Sequence, residues 1–289
     1  MKKKIDLFDI INVLIMIALI IITLYPMYYV LAASLSEPSK FLSYDGLLLF
    51  PRGFSIVSYQ KAFEHPLILS SYRVTLFVLA AGLVINLLLT MLGAYALTRR
   101  KLFFKRFISF MIMFTMFFNG GLIPFYLTVK DLKLLDTVWS MILPTAVNTF
   151  NLVVLRTAFA SVPRTLEEAA EIDGAGHFTV LFRIIAPLAM PTMAVITLYY
   201  GVAYWNSWFN ASIFLNDTSL YPLQLVLRSV LISNDASSML TGVDAGTQLA
   251  VSETLKYALV IIATAPILVL YPFLQKFFVK GVMVGAVKG

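Results

Sequence analysis

The sequence contains no cysteine and only two histidines, His65 and His177. The missing thiols exclude disulfides, thiolate metal sites and cysteine nucleophiles, whatever the compartment. Charged residues are also scarce: they make up 13% of the chain, against about 25% in a typical soluble domain. With a mean hydropathy of +0.87, the chain has too little polar surface to cover a globule in water. Most of it is therefore expected to lie in lipid.

Six stretches of at least 19 residues carry no charge at all, and they cover residues 10–36, 74–98, 107–129, 137–155, 184–216 and 257–275. A helix needs about 20 apolar residues to cross the hydrocarbon core of a membrane. We therefore predict an all-α polytopic membrane protein with six transmembrane helices. The first stretch exceeds the apolar core of about 7–15 residues found in a secretory signal, so we expect this helix to be retained.

The distribution of Lys and Arg predicts the orientation of these helices. If the amino terminus is cytoplasmic, four segments face inward: residues 1–9, 98–106, 156–186 and 276–289. They hold 14 of the 22 basic residues in 63 positions, whereas the longer outward segments, which include the loops 37–73 and 217–256, hold the other 8. This bias follows the positive-inside rule and places both termini in the cytoplasm. The clusters "MKKK" and "RRKLFFKR" are interpreted as topology signals, and no nucleic acid partner is expected.

The six uncharged stretches contain no Asp, Glu, Lys, Arg or His. Proton-coupled pumps and secondary transporters usually need such groups inside the membrane, and membrane-embedded hydrolases need acids, bases or metal ligands. A P-loop is also missing, and "GAGHFT" lacks the third glycine and the preceding strand of a dinucleotide fingerprint. We therefore expect no catalytic residue, metal or cofactor in this chain. If it drives transport, the energy must enter through another subunit.

Two of the apolar stretches contain unusual polar residues. In the third, Asn119, Gly120, Gly121 and Pro124 interrupt the apolar run, and the interruption is either a functional gate or a packing kink. The fifth helix, expected within residues 187–213, carries a crowded set of aromatic and amide side chains. Such side chains suit the faces and hydroxyls of sugars, although Trp and Tyr near a helix end also act as interfacial anchors. The candidates for a translocation path are Tyr204, Trp205, Asn206, Trp208, Asn210 and Asn119.

A short acidic stretch separates the fourth and fifth apolar runs, with four acids in seven positions: Glu167, Glu168, Glu171 and Asp173. Each charge at the centre of a transmembrane helix costs about 2.5–3.5 kcal/mol, so this stretch must lie in water or at the membrane surface. On the predicted topology it belongs to the cytoplasmic segment 156–186. It could simply be a solvated amphipathic loop.

Local signals predict two short helices in this segment. The first begins near Pro163, or at Thr165 if Thr165 and Glu168 form a capping box; the two signals differ by one or two positions. Gly174 and Gly176 end it, and "HFTVLFRII" begins the second helix. Carboxylates beside small alanines allow close approach by a partner that offers Arg or Lys.

The spacing of residues in this stretch resembles the EAA motif of binding-protein-dependent ABC importer permeases. The residues concerned are, in order, Glu168, Ala169, Ala170, Gly174, Ile184 and Pro187. One position departs from that pattern, because Ala186 stands where the motif has Leu. The segments "VPRTLEEAAEIDGAG", "YWNSWFNASIFL", "YPLQLVL" and "FFVKGVMVGAVKG" resemble the carbohydrate branch of the family, in particular its MalG-like or LplC-like second permease. The core of the likeness covers residues 70–280.

The resemblance implies a type I ABC importer permease fold, with residues 1–289 forming one transmembrane permease domain in a bacterial cell membrane. The implied partners are membrane lipid, a second homologous permease, a pair of cytoplasmic ATPase domains that bind ATP and Mg, and an extracytoplasmic solute-binding protein. It implies that the acidic helix contacts the ATPase through a set of residues: Leu166, Glu167, Glu168, Ala169, Ala170, Ile172, Asp173 and Gly174. Within that set Glu168 would face a basic residue of the ATPase, the two alanines would make close contact, and Gly174 would form the turn.

The function implied is permeation of a sugar, of oligosaccharide type, by alternating access driven by the partner ATPase, with no enzymatic activity in this chain. Two alternatives stay open. The substrate could be another solute such as an amino acid, phosphate or metal, although the lack of intramembrane cations weakens phosphate. The chain could also be a membrane scaffold that recruits a cytoplasmic protein without transport. Co-purification with a Walker-motif ATPase would distinguish importer from scaffold.

Overall fold

The computed structural model describes residues 7–99, 102–233 and 245–286. Within these ranges the chain is helical, apart from its connections and one isolated antiparallel bridge between Ser36 and Phe54. The "MKKK" cluster, Arg100, Lys101 and residues 234–244 and 287–289 lie outside the described residues. Parts of the orientation and loop predictions depend on them. The α-helices are α1 (Leu7–Ser34), α2 (Pro38–Leu42), α3 (Val57–Glu64), α4 (Pro66–Thr98), α5 (Lys105–Phe117), α6 (Leu122–Asp131), α7 (Trp139–Ile142), α8 (Thr149–Ala160), α9 (Arg164–Ile172), α10 (His177–Thr179), α11 (Ala186–Leu188), α12 (Met190–Trp205), α13 (Phe209–Phe214), α14 (Leu223–Ser233) and α15 (Ala245–Ala286).

In the described part of the chain, three unbroken helices are long and apolar enough to cross a membrane: α1, α4 and the Gln248–Val269 part of α15. Three further spans are bent pairs of helices. The bends are 117° between α5 and α6, 51° between Trp139–Thr145 and α8, and 87° between His177–Leu188 and α12. When each pair is taken as one span, the number is six, in agreement with the prediction.

The breaks in these spans follow from local chemistry. Between α5 and α6, Gly121 adopts a φ of +89°, and its N–H donates to the Asn119 side-chain oxygen at 2.9 Å. The interruption predicted at Asn119–Gly121 is therefore present. The fifth helix was predicted within residues 187–213, and α12 (Met190–Trp205) lies inside these bounds, followed by a break and the short helix α13. Here the Asn206 amide donates to the Val202 carbonyl (3.0 Å) and ends α12, because an Asn side chain competes with the helical backbone.

The two segments predicted as outward loops contain more helix than expected. Residues 37–73 include α2, α3 and the first turns of α4, and residues 217–256 include α14 and the start of α15. Charged residues show where the apolar run ends, but an exposed residue such as Arg73 continues the helix at no cost. In α14 the buried residues Leu223, Val226 and Val230 recur at helical spacing.

The chain divides into two compact units, and the described part of one covers residues 7–69, 226–233 and 245–266. In this unit Ala33 and Leu48 are buried, and the rings of Tyr29, Phe41 and Tyr257 pack against them. The Ser58 hydroxyl also donates to the Thr254 hydroxyl at 2.7 Å. In contrast, nearly all side chains of α1 up to Leu31 are at least partly exposed, as expected for an apolar helix that faces lipid or another subunit.

The described part of the other compact unit covers residues 70–99, 102–225 and 267–286. Its core is formed by side chains from α4, α8, α12 and the π-helical turn Val180–Ile185 that joins α10 to α11. The largest buried side chains of this core include Leu155, Phe159 and Ile196. All the residues of the candidate sites described below belong to this unit.

Helices α4 and α12 pack closely at Gly82. A Cβ atom added there would lie 2.5 Å from the Tyr204 ring, and that ring is fixed because its hydroxyl hydrogen-bonds to the Asn86 carboxamide at 3.0 Å. We expect Gly82→Ala to destabilise the protein by about 1–3 kcal/mol through overpacking, measured as a lower melting temperature in detergent. The control is Gly201→Ala on α12, where the nearest atom, Leu79 Cδ1, is 3.9 Å away. Equal melting temperatures of the two variants would contradict this packing.

Candidate functional site

The acidic helix α9 begins at Arg164, directly after Pro163. The proline signal is therefore right and the capping box is wrong. Thr165 is the second residue of the helix rather than its N-cap, and among the described residues no side chain caps this end. The helix ends at Ile172, and the next helix begins at His177, as the two glycines predicted.

One side of α9 faces the body of the protein, and the rest of the helix is exposed. Glu167 and Ala170, which are three residues apart and so share a face, are partly buried. Ala170 packs against the core of its own unit. The exposed predicted contact residues are Leu166, Glu168, Ala169, Ile172, Asp173 and Gly174. Of the two alanines, Ala169 is therefore the one that a partner can reach.

An ion pair joins α9 to the end of α4. The Arg99 guanidinium donates to both carboxylate oxygens of Glu167, at 2.5 Å and 3.0 Å, and the two side chains are only 24% and 12% exposed. The guanidinium also lies 4.1 Å from the centre of the Tyr95 ring, a cation–π geometry. Burial disfavours the charge on Arg99, but Glu167 outweighs this effect and the pKa of Arg99 is raised.

The connection after α9 is a tight turn. Gly174 adopts a φ of +84°, its N–H donates to the Glu171 carbonyl (3.1 Å), and the Ala175 N–H donates to the Ala170 carbonyl (2.8 Å). No described atom lies within 4 Å of a Cβ added at Gly174, so glycine is required there by the backbone and not by space. The predicted turn position thus has a left-handed backbone.

Beyond this turn the chain enters the core. Val180, Leu181 and Ile185 are buried in the π-helical turn, and Ala186 is only 5% exposed in the same cluster. The one departure from the motif therefore concerns core packing and leaves the exposed face of α9 unchanged. Beside α9 lies a cavity of about 740 Å³ with a charged lining that includes Arg99, Arg164, Glu168, Glu171 and His177.

The predicted path residues do not all converge. Tyr204 and Asn210 line a second cavity of about 410 Å³ among α4, α8, α12 and α13. Trp205 is buried, and its ring packs edge-on against the Tyr72 ring with 6.5 Å between the ring centroids. Trp208 contacts the Phe209 ring. Asn206 and Asn119 make the local backbone hydrogen bonds described above.

Several residues of the second cavity escaped the sequence-based prediction, namely Asn86, Asn148, Phe150, Asn151, Tyr199, Tyr200 and Ser207. Tyr200 is almost fully buried, and its hydroxyl hydrogen-bonds to the Thr90 hydroxyl (2.8 Å) and accepts from the Asn148 N–H (2.9 Å). In the sequence, the only feature that could have indicated these residues is the presence of asparagines inside uncharged runs.

The described structure is helical, with three broken membrane spans and a short acidic helix held to the end of a span. These features are those of a polytopic transport permease. Residues 87–284 match the family described as "binding-protein-dependent transport system inner membrane component". The chain belongs to this family. Its members are transport permease components of ABC importers and are not themselves catalytic. The match confirms the family predicted for this chain, and it agrees with the predicted all-α fold class.

Two relatives and one solved structure show how far the similarity extends. The chain is 39% identical to the polygalacturonan/rhamnogalacturonan transport system permease protein YtcP of Bacillus subtilis (strain 168) over 294 residues, which cover 100% of both chains. It is 40% identical to Protein LplC of the same organism over 282 residues, covering 98% of this chain and 95% of the relative.

It is also similar to a chain of the crystal structure of a bacterial ABC transporter involved in the import of the acidic polysaccharide alginate. That match has a TM-score of 0.86, 30% identity, and coverage of 96% of this chain and 99% of the other. This likeness confirms the type I ABC importer permease fold.

Proposed function

We propose that this chain is the transmembrane permease subunit of an ATP-driven importer of an oligosaccharide. The observation that carries the proposal is full-length similarity to a permease named for polysaccharide transport, together with the fold shared with the alginate importer. The uncharged membrane runs are consistent with a substrate that has hydroxyl groups and needs no intramembrane ion pair. Residues 1–289 act as one permease domain on this proposal.

The acidic helix α9 couples this permease to a cytoplasmic ATPase. Its exposed face offers Glu168 as a free carboxylate, with Leu166 and Ile172 as apolar contacts that are 44% and 86% exposed. Glu167 is occupied by Arg99, and among the exposed acids of this segment Glu168 is the one that the motif-like spacing predicts to pair with a basic residue of the partner. Because α9 is tied to α4 and to the core, a displacement of α9 is transmitted to the membrane helices.

The remaining partners follow from the same proposal. ATP and Mg bind to a pair of ATPase domains, and closure of that pair moves α9 and switches the cavity from inward-open to outward-open. The face of the permease that carries α9 is cytoplasmic, and so are both termini. An external binding protein delivers the substrate. In the described structure no residue of α5 is buried, so its apolar surface is available to lipid or to the second permease. The translocation path passes α12 and α13 at Tyr204 and Asn210, the two predicted residues that line the second cavity.

The test is transport by the reconstituted complex of this chain with its partner permease, ATPase and binding protein. Raffinose, maltotriose and trigalacturonate serve as saccharide probes, and phosphate and an amino acid mixture serve as other solutes. The wild-type complex should take up a saccharide and hydrolyse ATP faster when the loaded binding protein is present. Glu168→Lys should assemble normally but lose uptake and stimulation, because it places a cation against a basic partner.

The matched control for this test is Asp131→Lys, the same charge change at an exposed residue at the end of α6, outside α9 and outside the lining of the cavity beside it. It should retain most of the uptake. Uptake of phosphate or amino acids in place of every saccharide would overturn the substrate class. Failure to assemble with any ATPase would overturn the importer and favour a scaffold.

A further inference from the structure

The second cavity contains a buried polar side chain that the fold does not use. Asn151, on α8, is only 4% exposed and lines the cavity. Its backbone N–H donates to the Asn148 side-chain oxygen (3.1 Å), but within the described residues its own carboxamide has no hydrogen-bond partner. In the described residues the buried side-chain atoms without a partner are Ser71 Oγ and Ser109 Oγ. The Asn151 carboxamide is instead accessible from the cavity, where water or a ligand can hydrogen-bond to it.

Other polar groups face the same space. The carboxamide of Asn210, the hydroxyl of Ser207 and the phenol of Tyr199 line this cavity, and none has a side-chain hydrogen bond in the described part of the chain. Together with Asn151 they offer donors and acceptors of both kinds. This combination matches a ligand with several hydroxyl groups, because each hydroxyl can donate and accept.

Two aromatic rings supply an apolar surface at the same place. Phe150 and Tyr199 have ring centroids 6.3 Å apart, inclined at 46°, and the two residues are 50% and 45% exposed. Exposed rings beside free amides form a site with few polar groups on an apolar wall, as in other small-molecule sites. The C–H face of a pyranose or furanose ring fits such a wall, while its hydroxyls reach the amides.

A second layer of hydrogen bonds holds this lining in place. Tyr200 connects Thr90 on α4 with the backbone of Asn148, and Tyr204 is bonded to Asn86. Binding groups that are fixed before the ligand arrives lose less conformational entropy on binding. The cavity is therefore pre-formed on three helices that also carry the core of the unit.

Among the described residues, no charged side chain lines this cavity. A carboxylate that enters it would lose water without gaining a cation, which is unfavourable. The lining therefore selects a neutral sugar ring over a sugar acid. This differs from the acidic polysaccharide that the alginate importer is named for, and from polygalacturonan, the polymer of a sugar acid that YtcP is named for.

We propose that this cavity is a substrate subsite on this subunit, which binds one neutral saccharide ring through Asn151, Asn210 and Ser207 and stacks it on Phe150 and Tyr199. The inference rests on the proposed function, because the ligand is the imported saccharide. It adds the position of the ring, the groups that bind it, and its lack of charge.

The experiment measures binding to the permease–ATPase complex in detergent without the binding protein, by saturation-transfer NMR with raffinose, maltotriose and trigalacturonate as probes. Ring protons of a neutral probe should receive saturation from the wild-type complex, and trigalacturonate should receive less. Asn151→Leu and Phe150→Leu should each weaken binding about tenfold, as expected for loss of one good contact. The second variant alters an exposed side chain, so it keeps the test valid if Asn151→Leu fails to assemble.

The control is Val147→Ala, which alters an exposed side chain in the same break between α7 and α8 and does not line the cavity. It should bind the probes as the wild type does. Equal binding by wild type and Phe150→Leu, or no binding of any probe to the wild type, would overturn the subsite. Stronger binding of trigalacturonate would overturn its neutral selectivity. The proposed function fails separately, through absence of saccharide uptake when the binding protein is present.

Discussion

Replacing Gly174 by proline should give a permease that inserts and assembles but no longer couples ATP hydrolysis to uptake. Gly174 has a φ of +84°, whereas proline is restricted to a φ of about −65°. Proline also removes the N–H that donates to the Glu171 carbonyl. The turn between α9 and the helix that begins at His177 must therefore be rebuilt, and the direction of α9 changes.

This change should leave the membrane core intact, because no described atom lies within 4 Å of a Cβ added at Gly174. The measurement is uptake of the imported saccharide per ATP hydrolysed in proteoliposomes, with assembly checked by size exclusion. We expect most of the uptake to be lost while basal hydrolysis persists. Gly176→Ala is the control, since Gly176 has an ordinary φ of −74° and open space around it. Normal substrate-stimulated hydrolysis and uptake by Gly174→Pro would show that the turn does not position α9.

The spans and the acidic helix were predictable because their causes lie close together in the sequence. A long run without charge must enter lipid, and this alone predicts α1, α4 and the membrane part of α15. The break at Asn119–Gly121 was predictable because glycine and asparagine act on the neighbouring backbone. The segment that resembles the EAA motif was recognisable because its acids, alanines and glycine follow a fixed spacing.

The rest of the site depends on contacts between distant residues. Arg99 and Glu167 are 68 positions apart, and Arg99 resembled any other topology signal within a basic cluster. Asn151 is one asparagine in an apolar run until α12 and α13 bring Tyr199 and Asn210 near it. Helix ends were also missed at Pro66 and Ala245, since charge marks the membrane boundary and not the end of the helical backbone.

On the proposed function, the ion pair between Arg99 and Glu167 links α9 to the membrane helices. It is the charged contact in the described structure between α9 and the helix α4, and α4 supplies Thr90 and Asn86 to the hydrogen bonds behind the second cavity. A displacement of α9 is therefore transmitted to the second cavity through the single helix α4. A rigid bidentate pair transmits such a displacement better than a flexible exposed pair, because its geometry is fixed at both oxygens.

Reversing either charge should accordingly disconnect α9. Glu167→Arg sets two guanidinium groups against each other, and Arg99→Glu sets two carboxylates against each other. Each single variant should lose stability on the order of 2 kcal/mol, because the remaining partner is left partly buried and unpaired. Each should also lose most of its substrate-stimulated ATP hydrolysis. Melting temperature in detergent and uptake in proteoliposomes measure the two effects.

The double variant Arg99→Glu with Glu167→Arg restores opposite charges and serves as the control in a double-mutant cycle. We expect partial recovery of both stability and uptake. Recovery should be incomplete because a carboxylate at position 99 cannot reproduce the cation–π contact with Tyr95. If stability recovers but uptake does not, the identity of the groups matters to coupling beyond their attraction. If the double variant is no better than the worse single variant, the pair does not hold α9 to α4, and the core contact of Ala170 must carry the displacement alone.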